Sequence, residues 1–158
     1  MTHPTTPFPA ASVLVDERLD WLLDRFVRTT TGVTGALLVS RDGIKIAVSG
    51  LGTDQADQAA AWMGSLHSLA RAAASISGSP SGGFRQVIVE DAAVLVFVTG
   101  ADHAMGAGTG PPAESRLVGS VLGVLATPDA DPDTIGFQMG LLVKSVCDHL
   151  TTPTRGGQ

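Results

Sequence analysis

A chain of 158 residues is long enough for one globular core, burying about 70% of the surface its unfolded form exposes without disulfide or metal staples. At 44% hydrophobic and only 16% charged it is no disordered regulator, and a net charge of -5, with Lys45 and Lys144 as the sole lysines, provides no basic stripe for nucleic acid. The longest apolar run, Ala92 to Val98, is far below the roughly 20 residues that span a bilayer, Met1-Thr2-His3-Pro4 lacks a signal-peptide layout, and one cysteine, Cys147, fits a reducing compartment, so a cytoplasmic protein without membrane insertion is expected.

Residues 1–13 and 151–158, rich in Pro, Thr and Gly, read as flexible tails around one domain at 14–150. Leu19, Leu22, Leu23, Phe26 and Val27 keep the spacing of an amphipathic first helix. Asp16, Glu17 and Asp20 fall in its expected opening turns, and Arg25 and Arg28 near its end. After Gly32, the apolar run Ala36 to Val39 and the alternating Ile44, Ile46 and Val48 form two strands, joined by Arg41-Asp42-Gly43, the chemistry of a tight hairpin.

Thr53 is the expected cap of a second helix running to about Ser77 and ending at Gly78. Phe84 to Glu90 and Val94 to Thr99 predict a second hairpin, and Leu117 to Ala126 a fifth strand. Between the fourth and fifth strands, 100–115 is a Gly/Ala/Pro-rich loop insertion. Asp131-Pro132 is a cap followed by a first helical residue, opening a third helix with the stripe Ile135, Met139, Leu142, Val143, Val146 and Leu150. The order α-β-β-α-β-β-β-α, with hairpin-joined strands, predicts an α+β fold in which helices cover a five-stranded antiparallel sheet.

Chemistry-bearing patterns are sparse. No phosphate loop occurs, and Gly106-Ala107-Gly108-Thr109-Gly110 runs into Pro111-Pro112 rather than opening a helix as a dinucleotide fingerprint does. His3, His67, His103 and His149 are scattered, Cys147 has only His149 near it in sequence, and Asp102-His103 has no accompanying nucleophile. Arg41 and Arg85 are the arginines best placed to serve a partner's phosphate chemistry, though each reads more simply as a solubilising charge. The expectation is therefore no catalytic residue, no cofactor, no metal and no enzyme.

The second helix says more. Its apolar residues, from Ala56 to Ile76, cover an arc of roughly 200° at about 100° per residue, twice what one sheet face needs. Either another helix of the chain or a second molecule must cover the surplus. Gly136 and Gly140 on the third helix predict close approach by the first, which pairs those two on one sheet face and leaves the second alone on the other. Gly119 and Gly123, four apart in the fifth strand, predict a helix backbone close to the sheet. Trp21, Phe137 and Leu141 project away from their helices' stripes, as anchors for a partner or for the Phe8-Pro9 tail.

The words Leu19-Asp20-Trp21-Leu22-Leu23-Asp24-Arg25-Phe26, Thr31-Gly32-Val33 and Leu38-Val39-Ser40-Arg41-Asp42-Gly43 resemble bacterial members of the Roadblock (dynein light-chain-like) family. So do Leu66-His67-Ser68-Leu69-Ala70-Arg71 and Arg85-Gln86-Val87-Ile88-Val89-Glu90, and the likeness extends over about 14–150. The resemblance implies a non-enzymatic, longin/profilin-like homodimer in which the second helix packs on its copy and the third strand pairs with its copy. The implied dimer residues are Ala59, Met63, Leu66, Ala70, Ala73, Arg85, Gln86, Val87, Ile88 and Val89. It further implies regulation or tethering of a Ras-like small GTPase, in a signalling set with a sensor kinase, through a surface around Trp62, Ser65 and Arg71. The insertion at 100–115 departs from the family's short turn there. The rival reading is a small-molecule-sensing profilin-like module, for which His67 is the main polar core residue.

Overall fold

The computed structural model describes residues 10–40, 42–78, 86–101 and 119–151, with 10–16 and 149–151 as backbone only. Its elements follow the expected order: α1 (Ala10–Thr29), β1 (Val33–Val39), β2 (Lys45–Ser49), α2 (Thr53–Ile76), β3 (Val87–Glu90), β4 (Leu95–Gly100), β5 (Val121–Ala126) and α3 (Pro132–Thr151). The five strands form one sheet in the order β2-β1-β5-β4-β3, every neighbouring pair antiparallel. Of the expected loop at 100–115, Gly100 ends β4 and Ala101 follows it; 102–115, and residues 1–9 and 152–158 of the expected tails, lie outside the described residues.

Strand alternation sends side chains to two separate cores. Ala36 and Leu38 of β1, Leu95 and Phe97 of β4, and Leu122, Val124 and Ala126 of β5 meet Leu19, Leu22, Leu23 and Phe26 of α1 and Ile135, Met139, Leu142, Val143 and Val146 of α3. Leu37, Val39, Val96, Val98 and Val121 meet Ala56, Ala59, Ala60 and Met63 of α2. Two helices therefore share one face, and α2 stands alone on the other.

Turn chemistry closes the elements much as the sequence dictates. Gly43, at φ +80, supplies the left-handed step of the β1–β2 turn, and its N–H donates to the Ser40 carbonyl at 3.0 Å. Asp131 accepts the Asp133 N–H at 3.3 Å and the Thr134 hydroxyl, opening α3 at Pro132.

Four local expectations are corrected. The first helix begins at Ala10, inside the expected 1–13 tail, so Asp16, Glu17 and Asp20 stand beyond its opening turn, which carries no acid. Thr53 is the first helical residue of α2 rather than its cap; Gly52 is the cap, and its N–H donates to Gln55 Oε1 at 3.1 Å. Gly119 lies in a turn at φ +78, outside β5, so it does not share a strand face with Gly123. What approaches Gly123 is the Met63 side chain, not a helix backbone. Finally, Gly136 faces Gln86 rather than α1, and a side chain at Gly140 would meet nothing within 4 Å.

Candidate interaction surface

The two edges of the sheet are built differently. At β2, Leu38 pairs with Ala47 and Val39 with Lys45, which makes Ile46 an extra, bulged residue. The bulge turns Lys45 toward α2, where its Nζ meets the Asp57 carboxylate at 2.7 Å. A bulge and a lysine are two of the devices that stop an edge from pairing with another chain. The opposite edge, β3, has neither. Its register with β4 is regular from Val87 to Glu90, and Ile88 and Val89 are exposed.

The helix above that sheet splits into two halves. Ala56, Ala59, Ala60 and Met63 are buried against their own sheet, and the residues after Met63 are progressively bare. Leu69 is 66% exposed and Ile76 88%. Trp62, Leu66, Leu69, Ala73 and Ile76 are spaced four, three, four and three apart, the 3.5-residue repeat of a helix-pairing seam. At about 100° per residue this seam lies on the flank of α2 opposite Asp57, hence away from β2 and toward the β3 edge. Leu66 and Val87 both pack against the α2 core, and α2 is in contact with β3.

The expected dimer residues divide accordingly. Ala59 and Met63 belong to the subunit's own core, since Met63 has 0% exposure. Gln86 is half-buried and turned onto α3. Leu66, Ala70 and Val87 are half-buried, while Ala73, Ile88 and Val89 face outward. Arg85 lies outside the described residues, as do Arg41, Asp102, His103 and the 106–110 glycine cluster. The implied dimer set omits Leu69 and Ile76 although both lie on the apolar arc; their three-and-four spacing with Trp62 was the available signal.

Trp62 and Arg71 are exposed on opposite flanks of α2, about two and a half turns apart, and Ser65 lies between them on its solvent side. Beside Ser65 runs an open groove of ≈ 790 Å³, lined by Ala60, Ala61, Gly64, Ser65, Ser68 and Leu69 of α2 and by Asp42 and Gly43 of the hairpin tip. Its floor is nearly free of bulky side chains. On the α1/α3 side, Trp21, Phe137 and Leu141 are exposed, and the Arg25 guanidinium lies 5.6 Å from the Trp21 ring centre, within cation–π range. Among the described residues no cluster of His, Cys, Asp or Glu could hold a metal ion, and no helix is long and apolar enough to cross a membrane.

A five-stranded antiparallel sheet with one helix on one face and two on the other defines a longin/profilin-like α+β domain. The family model for the Roadblock/LC7 domain matches residues 19–105, and the chain belongs to that family. A Roadblock/LC7 domain from Streptomyces avermitilis is 38% identical, with a TM-score of 0.67, over 84% of this chain and 98% of that one. The gliding protein MglB from Thermus thermophilus shares the fold at 16% identity, with a TM-score of 0.65, over 95% of this chain and 98% of that one. MglB from Myxococcus xanthus does so at 15% identity and a TM-score of 0.64, over 88% and 94%. Comparison with curated proteins returns no match.

Proposed function

We propose that this protein is a non-catalytic homodimeric regulator that binds a Ras-like small GTPase and modulates or localises it in a bacterial signalling system, with a sensor kinase of the same set among its partners. The observation that carries the dimer is the asymmetry of the sheet: β2 is bulged and carries a lysine, whereas β3 is regular, exposes Ile88 and Val89, and lies beside α2. A second copy placed across β3 continues the sheet and covers Leu66, Leu69, Ala73 and Ile76 with its own seam. The GTPase reading rests on membership of the Roadblock family, whose members are typically regulatory rather than catalytic. In this reading the outer half of α2, from Trp62 through Ser65 to Arg71, with the groove down to Asp42 and Gly43, receives the partner's switch segments. The regulator acts by contacting one nucleotide state better than the other, since only differential affinity shifts a conformational equilibrium.

The test has two arms. Sedimentation of the wild-type chain gives twice the monomer mass, and the double variant L69D/I76D gives a folded monomer by circular dichroism. Added to a small GTPase encoded beside it, the wild-type chain co-elutes and changes the turnover rate, while S65R stays dimeric and does neither. A monomeric wild type ends the dimer reading; a dimer without effect on, or binding to, that GTPase ends the regulatory one.

A further inference from the structure

The exposed edge strand is held from one side by a contact that the dimer reading does not use. Val87 and Val89 pair with Val98 and Val96, which face α2, so alternation turns Gln86 and Ile88 toward α3. Gln86 reaches that helix: its Nε2 donates to Met139 Sδ at 3.6 Å, and its Oε1 lies 3.3 Å from where a Cβ on Gly136 would stand. Gly136 is thus a notch about one methyl deep, filled by the glutamine head. Met139 is fully buried in the α1/α3 core, so the acceptor is a fixed point.

The strand needs such a fastening. It pairs with β4 over only four residues, and Ile88, on its α3 side, is 43% exposed. A short edge strand with exposed hydrogen bonds opens readily, and a segment that must be ordered on association weakens binding by that entropy.

We infer that Gln86 is a positioning residue for self-association: seated in the Gly136 notch against Met139, it holds the outer edge strand in the geometry a second copy pairs with. This rests on the homodimer reading. The residue acts through the strand, its own amide being turned onto α3.

Three variants test it by sedimentation across a dilution series. Q86A empties the notch and G136V fills it from the helix side, and each raises the dimer dissociation constant about tenfold, the expected loss when pre-ordering is removed. G140A, on the same helix with open space around it, leaves that constant unchanged. Dimerisation of Q86A and G136V as tight as that of G140A overturns the inference. Hydrogen exchange at Val87–Glu90, measured in the L69D/I76D background, supplies a readout independent of assembly: exchange is faster with Q86A, and an unchanged rate overturns the inference equally. Were the wild type monomeric, the homodimer reading alone would fall, and the exchange comparison would still decide whether Gln86 orders the strand.

Discussion

The Met63 thioether occupies the space that a side chain on Gly123 would need: a Cβ built there overlaps both Sδ and Cε. Helix α2 is thereby keyed to the middle of β5 by one long, fully buried side chain over one missing side chain. The M63A variant costs about 2–5 kcal/mol of stability, and G123A also destabilises, because the methionine must leave its place. Together they cost less than their sum, since the truncated helix makes room for the new methyl; a coupling of about 0.5–3 kcal/mol is expected. Urea denaturation of the four proteins at one fixed concentration measures it, and strict additivity would show that the two residues do not compete for space. M63D unfolds the subunit instead of separating two intact ones.

How far the fold was legible follows from cases like this one. The Asp42-Gly43 turn, the Asp131-Pro132 opening of α3 and the stop of α2 at Ser77-Gly78 depend on local backbone chemistry, which sequence carries directly. The stripes of α1 and α3 are narrow and admit one orientation. By contrast, α2 is apolar over so wide an arc that several rotations about its axis satisfy the pattern, and the resemblance placed Ala59 and Met63 against a partner although they face β5 and its neighbours. The bulge at Ile46 escaped for a related reason: one inserted residue leaves the composition of a strand unchanged and alters only which side each residue faces. Gly136 was recognised as a place of close approach, but the element approaching it comes from some fifty residues earlier in the chain, a distance no local pattern encodes.

Asp131 makes the opening of α3 sensitive to acid. Its carboxyl titrates below the ordinary carboxylate range, chiefly because the Thr134 hydroxyl donates to it, with the N–H groups of Asp133 and Thr134 adding to the effect against a smaller cost of desolvation. A carboxyl depressed on folding contributes stability above its unfolded pKa, about 3.9, and that contribution is lost as pH falls through the folded value. The melting temperature of wild type should therefore exceed that of D131A by a constant margin from about pH 5 upward, and the margin should shrink below about pH 4. A margin independent of pH would remove the cap's charge from the account.

The Lys45–Asp57 pair joins the protected edge to α2, but both side chains remain partly in solvent, at 31% and 59% exposure. Screening limits such a pair to about 0–1 kcal/mol. K45A is accordingly expected to lower stability by no more than about 1 kcal/mol, less still at high salt, and to leave the mass in solution unchanged. An increase in mass for K45A would show that the bulge at Ile46 does not by itself keep β2 from pairing.

Trp62 offers a direct view of the α2 seam. The chain has two tryptophans, and W21F leaves Trp62 as the only one. In a single subunit Trp62 is 36% exposed at the border between seam and outer face. Association of two seams removes water from its ring, so the W21F protein should emit at shorter wavelength when concentrated and shift to the red on dilution. The midpoint of that shift should coincide with the concentration at which sedimentation shows the mass halving, because both report one equilibrium. L69D/I76D, carried on W21F, should show the red-shifted emission at every concentration. Mass that halves while the emission stays constant would place Trp62 clear of the self-contact, on the surface left for the GTPase alone.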